Sequence, residues 1–428
     1  MNYYLGLVDV EPDQLKLLDL EVRRCLAKAG VTTFNESVDR LYLPRSNLGR
    51  GLRSVELLAE RSLFNQRLKA QARRETCSRI ALITKIDEKK GNQAATIMEY
   101  LKARYGSCPK NVAELVLAQE SQLKSNLTDK PLLGKLFSAF KYPDVDVHES
   151  TLWLRKGNMP ARQEAQLCQL QNRMLNYPAQ QMQCMHCRGS KRSIDHLASR
   201  CGKLLLVEYR RRHDEIVRVL HMHVSRKYGI QPSKRIRDHR VQGVVIAPNV
   251  EIRSDMPITT DVVVRANKPD LFVKDDKART ITLIEVGVTS LPKLKEVETT
   301  KSRKYDLLAR ELERMYPGYR ARTLAFVMTW DGLVSRHHRR RWQEFGLSEV
   351  TRAYTQTIAL RLTLESVSKD LGRGREPGTV LESDAIGNGP TPSKKAKLDF
   401  CPVEEAGDLN EHETKNRLAC LADSKINI

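Results

Sequence analysis

Lys268-Pro269-Asp270 is followed, fifteen residues after the aspartate, by Glu285 inside the apolar run Leu283-Ile284-Glu285-Val286. Two carboxylates on neighbouring strand ends can hold a hard divalent cation such as Mg²⁺ against a phosphodiester. That cation acidifies its bound water and stabilises the phosphate under attack. A lysine usually completes such a set, and Lys301, Lys304 and Tyr305 follow in a stretch with helical spacing. Lys301 and Tyr305 are four apart and so share a helix face. The candidate catalytic residues are Asp270, Glu285, Lys301, Lys304 and Tyr305, with Asp270 and Glu285 as Mg²⁺ ligands.

A second constellation precedes this one. Cys184, Cys187, His196 and Cys201 place four soft or borderline ligands within eighteen residues. Zn²⁺ takes such a set tetrahedrally with no open position, so the expected site is structural. His186 lies inside the first pair and is a competing ligand. The intervening residues are polar and turn-like, unlike a core segment. Arg188, Lys191 and Arg192 in that loop are candidate phosphate contacts. Arg212-His213-Asp214 follows on a helix, read either as a solvated or ion-paired face or, through Arg212 and His213, as a further nucleic-acid contact. His221 and His223 are two apart and face different sides of that helix. Arg336-His337-His338-Arg339-Arg340-Arg341-Trp342 is a dense cationic patch. It is either a solvated charged turn or a backbone-binding element in which Arg339, Arg340 and Arg341 meet phosphates and Trp342 stacks on a base.

These groups need elements to carry them. Helical spacing of apolar residues runs over 13–29, and a short extended or turn segment covers Ser37 to Arg45 and Gly49 to Leu52. Residues 53–104 read as helical and basic, residues 105–182 as mixed, and about 204–228 as one long amphipathic helix. From about 243 the period changes. Val244 to Ile246, Ile258 to Val264, Leu271 to Val273, Ile281 to Val288 and Leu324 to Trp330 read as strands, with helices over 293–315 and 346–368. Strands, helix and further strand predict a mixed sheet, and antiparallel pairing would set Asp270 beside Glu285. Pro269 fits a strand start, where no interior donor is needed. A lysine two residues after Glu285 would complete a PD-(D/E)xK pattern. That residue is Gly287, so the ammonium must come from Lys301 or Lys304.

Charge agrees with a polyanionic partner. The 428 residues carry 73 Lys and Arg against 52 Asp and Glu, a net +21. Residues 371–428 hold 8 basic and 10 acidic side chains, so the positive excess lies in residues 1–370. Nine cysteines, with no eighteen-residue apolar run and no signal peptide, favour reduced thiols and metal ligands over a disulfide framework, and an intracellular protein. No membrane partner and no small-molecule substrate is expected.

The zinc cluster, Glu208-Tyr209-Arg210-Arg211-Arg212-His213-Asp214, Lys268-Pro269-Asp270, Glu285 and Lys301-Ser302-Arg303-Lys304-Tyr305 come in an order that resembles the C-terminal part of site-specific non-LTR retrotransposon polyproteins. These are the elements with a restriction-like endonuclease, including those inserting into ribosomal RNA genes. Ser37 to Arg45 with Gly49-Arg50-Gly51-Leu52 is similar to the thumb region just after their reverse transcriptase palm. The likeness covers about residues 12–345. It implies a nuclear protein that nicks target DNA and uses the freed 3′ end to prime reverse transcription of the element RNA. It further implies an Mg²⁺-dependent PD-(D/E)xK-like domain in which Asp270 and Glu285 match the metal-binding acids. Lys301 or Lys304 matches the displaced lysine, Tyr305 the tyrosine beside it, and Cys184, Cys187, His196 and Cys201 the zinc knuckle. The expected organisation is α+β: a helical thumb-like region (1–104), a helical or mixed linker (105–182), zinc knuckle and long helix (183–230), endonuclease domain (231–370) and disordered tail (371–428). Pro392 to Leu398 in the tail resembles a nuclear-import signal. There is no Tyr-x-Asp-Asp or Ala-Asp-Asp turn, and Asp275-Asp276 lacks the apolar hairpin of a polymerase palm, so the chain reads as the tail of a longer polyprotein without polymerase activity. The alternative is a remnant that binds nucleic acid and no longer cuts.

Overall fold

The computed structural model describes residues 11–33, 36–73, 76–91, 93–174, 183–230 and 235–373. The acidic tail from 374 onward, with its import-like run, lies outside the described residues. Helix α1 (Leu15–Lys28) leads into a short helical turn (Val38–Tyr42) and then into α2 (Val55–Arg73), α3 (Ser78–Lys90), α4 (Gln93–Tyr105) and α5 (Val112–Thr128). Leu63 and Phe64 of α2 meet Ile97 and Leu101 of α4 and Leu115 of α5 in a small core of their own.

The segment between α1 and α2, expected as extended or turn, is a helical turn clamped by buried arginines. Arg40 donates to the Cys168 carbonyl at 2.9 Å and to the side chains of Gln171 and Asn172. Arg50 pairs with Glu36 at 2.9 Å and Glu164 at 3.0 Å, all three side chains nearly dry. Glu164, Cys168, Gln171 and Asn172 lie on or just after α6 (Ala161–Gln171), so the amino-terminal segment is bound to the middle of the chain. Gly49 is required here: a β-carbon would stand 1.9 Å from the Leu43 carbonyl oxygen.

Helix α7 (Ile194–Ser199) follows the cysteine pair. The long amphipathic helix holds as expected, with a π turn over Leu205–Tyr209 running into α8 (Arg210–Lys227). Beyond it a five-stranded sheet forms in the order β1 (Val244–Ala247), β2 (Val250–Ser254), β3 (Leu271–Asp275), β4 (Thr280–Thr289) and β5 (Arg320–Thr329). The first four strands are antiparallel neighbours. β5 runs parallel to β4, after the crossover helices α9 (Leu294–Arg303) and α10 (Asp306–Met315) that a parallel pair requires. Helices α11 (Arg336–Glu344) and α12 (Glu349–Arg373) complete the described chain.

Alternation along β4 sorts its residues between two cores. Ile284, Val286 and Val288 face a large core that also takes Trp153, Leu167, Leu197, Leu220, Phe326 and Leu362. Ile281 and Leu283 face a second core with Phe272 and with Tyr305, Leu308 and Leu312 around α10. The period of two puts Glu285 and Gly287 on the second face, toward the crossover helices. Helix α12 lies against α6, α7 and α8, which binds the knuckle region to the layer behind the sheet.

One expected strand is absent and one strand was unforeseen. Ile258 to Val264 forms no strand; Ile258 is buried, but Val262 and Val263 are exposed, and the stretch is an irregular connection from β2 to β3. Its apolar residues have no sheet neighbour to pair with, because β2 and β3 already pair directly. β2 itself, Val-Glu-Ile-Arg-Ser, was not expected, although it alternates buried and half-buried residues. The cationic patch at 336–342 is a helix rather than a turn. Among the described residues no helix is long and apolar enough to cross a membrane.

Candidate active site and metal cluster

Leu271 of β3 faces Ile284 of β4 in the antiparallel register, so Asp270 and Glu285 are the next pair beyond the ladder's end. The expected placement of the two residues on neighbouring backbone positions is therefore present. The Val286 amide, which has no strand partner on that side, donates to Asp270 Oδ2 at 2.7 Å. That oxygen also receives His213 Nε2 at 2.9 Å from the first turn of α8. Burial would raise the Asp270 carboxyl, but His213, the Val286 amide and nearby Lys301 hold it below the ordinary aspartate value. For His213, burial alone would lower the imidazole; its bond to Asp270 and the neighbouring Asp214 carry it above the ordinary value instead.

Glu285 is almost fully buried, and its charge is met from the crossover helices. Lys301 Nζ and Lys304 Nζ both donate to Oε1, each at 2.7 Å. The Tyr305 hydroxyl lies 2.8 Å from Oε2 and 2.6 Å from the Lys268 carbonyl oxygen, and its single proton serves one of them at a time. Burial, reinforced by Glu285, pushes the Tyr305 phenol well above its usual range, so it stays a neutral donor. The five candidate catalytic residues thus share one electrostatic neighbourhood. A buried carboxylate is tolerated only with such close compensation.

The two lysines differ. A β-carbon placed on Gly287 would come within 2.9 Å of both Cδ and Cε of Lys301. The Lys301 stem therefore occupies the space a side chain at 287 would use. Lys304 has a side chain 41% exposed against 20% for Lys301, and its ammonium rests 4.9 Å from the centre of the Tyr305 ring.

Cys184, Cys187, His196 and Cys201 form a cluster that could hold a metal ion, their ligand atoms all within 4.8 Å of one another. Cys184 Sγ and Cys201 Sγ are 3.8 Å apart, and Cys187 Sγ lies 3.3 Å from His196 Nε2. The loop is shaped locally. Cys184 N–H donates to the Ser190 carbonyl at 2.8 Å, Arg188 N–H returns to the Cys184 carbonyl at 2.8 Å, and Arg188 takes a left-handed φ of 54° to make the turn. Ser193 caps α7 by accepting from the His196 amide at 3.1 Å. A hydrogen bond from the Gly189 amide holds the Cys187 thiol below its usual range. His186, half-buried, is not in the cluster. Asp195 on α7 receives a two-pronged contact from Arg173 at 3.0–3.1 Å, and Arg173 also meets Asp331 just after β5 at 3.1 Å.

The expected nucleic-acid contacts divide by exposure. Arg188, Lys191, Arg339 and Arg340 are exposed, and Arg340 pairs with Glu344 on its own helix. Arg341 is half-buried and reaches Glu298 at 3.2 Å and Ser302 at 3.3 Å on α9. Arg192 and Arg212 are corrected: both are buried, at 3% and 1% exposure, and present no guanidinium to a ligand surface. Trp342 is corrected likewise. It is fully buried, edge-on to Phe326 and Phe345, and has no face for a base. His213 sits at the carboxylate pair rather than at a surface contact. The signal was present in Arg212-His213-Asp214, but helix phase decides which member points inward, and a single sequence does not disclose that phase. His221 and His223 do face different neighbours, His239 at 2.8 Å and the ring of Phe345.

Neither any protein-family model nor any curated protein sequence matches this chain.

Proposed function

We propose that the protein is an Mg²⁺-dependent DNA endonuclease with a PD-(D/E)xK-like domain. In this reading it derives from a non-LTR retrotransposon and nicks target DNA so that the 3′ end can prime copying of the element RNA in the nucleus. The observation that carries the reading is the seating of Lys301 over Gly287. The lysine missing from position 287 is replaced, in the same space, by one from the following helix. Burial of Glu285 by itself calls for a counter-charge; what the endonuclease reading adds is that the stem of Lys301 runs through the space of position 287.

The donor set fits a hard divalent ion: two carboxyl groups, one immediately before β3 and one on the adjacent β4, all oxygen. Asp270 and Glu285 are the residues that would hold Mg²⁺, and what it supplies there is an acidified water and charge stabilisation at the phosphate. The chain's own residues do the rest. His213 and the Val286 amide fix the orientation of Asp270. Tyr305 anchors Glu285 through Oε2. Lys301 presents a positive charge beside the carboxylates, suited to orienting a water or offsetting charge on a phosphate oxygen.

The cysteine-histidine cluster suits structural Zn²⁺. Tetrahedral zinc with sulfur at ordinary bond length separates two sulfurs by about 3.8 Å, and Cys184 and Cys201 stand 3.8 Å apart. With all four positions filled by protein the site stabilises the fold rather than reacting. Exposed Arg188, Lys191, Arg339 and Arg340 are the surface charges available to DNA or RNA phosphates.

The test is nicking of supercoiled plasmid with Mg²⁺. Nicking by the natural chain and its loss in Asp270→Ala and Lys301→Ala support the proposal. DNA binding without nicking over a range of metal concentrations overturns it in favour of a binding remnant.

A further inference from the structure

Arg212 is the side chain the endonuclease reading leaves unexplained. It is 1% exposed, in the first turn of α8, and burial pulls its guanidinium down to about 10. One nitrogen, Nη2, donates to the carbonyl oxygen of Ala198, while Nε and Nη1 have no protein partner. A cation held dry with so little compensation is costly, so what its one strong contact accomplishes matters.

Ala198 lies on α7, between two members of the metal cluster, His196 and Cys201. The residue after Arg212 is His213, whose Nε2 holds Asp270 Oδ2 at 2.9 Å. Consecutive side chains of one helical turn therefore reach in two directions, one to the knuckle helix and one to the carboxylate pair. Position 212 is buried against the layer behind the sheet, and position 213 reaches the strand end. The first turn of α8 has limited freedom to rotate while the Ala198 carbonyl holds Arg212.

We propose that Arg212 is a positioning residue that couples the cysteine-histidine knuckle to the active-site carboxylates, so that metal in the knuckle sets how firmly His213 holds Asp270. The coupling rests on reading the knuckle as a zinc site and Asp270 as an active-site ligand. With the knuckle loaded, α7 is rigid and the Ala198 carbonyl fixes Arg212. With it stripped, α7 keeps its core contacts through Ile194 and Leu197 but loses the constraint at His196 and Cys201 that flanks Ala198. The Ala198 carbonyl then drifts from Arg212, and the first turn of α8 moves His213 away from Asp270.

The local reporter is the Val286 amide, whose acceptor is Asp270 Oδ2. Amide exchange is measured on the full chain in Mg²⁺-free buffer, before and after a zinc-selective chelator, with the Leu283 amide as an internal control. Stripping zinc is expected to speed exchange at Val286 at least about tenfold relative to Leu283. Arg212→Met is expected to reproduce that change while keeping its zinc. Arg212→Lys, which retains a donor for Ala198, is expected to restore most of the protection. Wild-type protection at Val286 in stripped but folded protein, or in Arg212→Met, overturns the coupling. If Arg212→Met does not fold, the chelation arm and Arg212→Lys still decide it. In the nicking assay Arg212→Met should lower the rate at saturating DNA and leave DNA affinity unchanged. A natural chain that never nicks defeats the endonuclease reading instead, and the exchange measurement still tests the coupling.

Discussion

Lys301 crosses the backbone of β4 at Gly287, so close that a single β-carbon at 287 would meet both its Cδ and its Cε at 2.9 Å. The absence of one side chain and the position of another are a single structural fact. Glycine in mid-strand sacrifices packing and backbone entropy, and here that sacrifice makes the space in which the lysine reaches Glu285.

Gly287→Ala should therefore act on activity much more than on stability. The two closest atoms it meets belong to a flexible side chain that can move aside, and Val327 Cγ2 at 3.3 Å needs to give only slightly, so unfolding free energy should fall by less than about 1 kcal/mol. Nicking should fall by about 100-fold, comparable to Lys301→Ala. Gly287→Lys combined with Lys301→Ala should recover part of the loss, since it returns an ammonium to the same space from the strand. Plasmid nicking rates with denaturant melts check all three. Unaltered nicking in Gly287→Ala would show that the lysine does not need the empty position, and unaltered nicking in Lys301→Ala would remove Lys301 from the mechanism.

The knuckle should hold one zinc per chain, lost in Cys187→Ser. Because α7 belongs to the large core through Ile194 and Leu197, losing the metal should also lower the melting temperature by several degrees. Elemental analysis of purified protein and thermal melts read this directly. Natural protein prepared without chelator that contains no zinc contradicts it.

Trp342 and the arginines beside it should separate cleanly. Trp342→Ala empties a core position and should cost about 3–5 kcal/mol of stability, with no contribution to base stacking, because the ring is fully buried. Arg339→Ala should leave stability within about 0.5 kcal/mol and, if Arg339 contacts a phosphate, reduce the salt slope of DNA binding by about one. Denaturant melts and binding titrations at several salt concentrations distinguish these effects.

Acid should weaken the fold in part through His338. Burial, with Arg352 and Arg341 nearby, pushes its imidazole down to about 3, against an ordinary value of 6.5. Between those values the unfolded chain binds a proton that the folded chain refuses. This contribution to stability is complete above pH 6.5 and is lost as pH falls toward 3. His338→Phe, in a site already lined by Phe326 and Trp342, should lose about 1 kcal/mol less than the natural chain between pH 7.5 and 5.5. Denaturant melts at those two pH values provide the comparison. Equal losses in both proteins would show that His338 is not the titrating group.

Much of the site is legible from residue type and spacing. Leu271 to Val273 and Ile281 to Val288 read as strands because β-branched and apolar residues cluster there between polar breaks, and pairing those strands places Asp270 beside Glu285. The four cysteine and histidine ligands announce themselves because few other roles need that set within eighteen residues. The α+β class follows from the change of period near residue 243.

Other features depend on partners distant in the chain. Ile258 to Val264 has strand-like composition, yet β2 and β3 pair without it, and composition does not record which edges are already taken. Arg192, Arg212 and Trp342 look like nucleic-acid contacts until packing removes them from solvent. The charge of an arginine determines what burial costs, but only the assembled fold determines whether that cost is incurred. The sequence by itself determined the chemical inventory: two acids fifteen residues apart, two lysines and a tyrosine in the next helical stretch, and four metal ligands in a short loop. The strand-end placement expected for both acids holds for Asp270 only, since Glu285 lies inside β4. Tertiary structure alone decided that Lys301 fills the space above Gly287, that His213 rather than its neighbours reaches Asp270, and that Arg212 turns inward to the knuckle. Those choices depend on helix phase and crossover geometry, which are set by packing against residues many positions away.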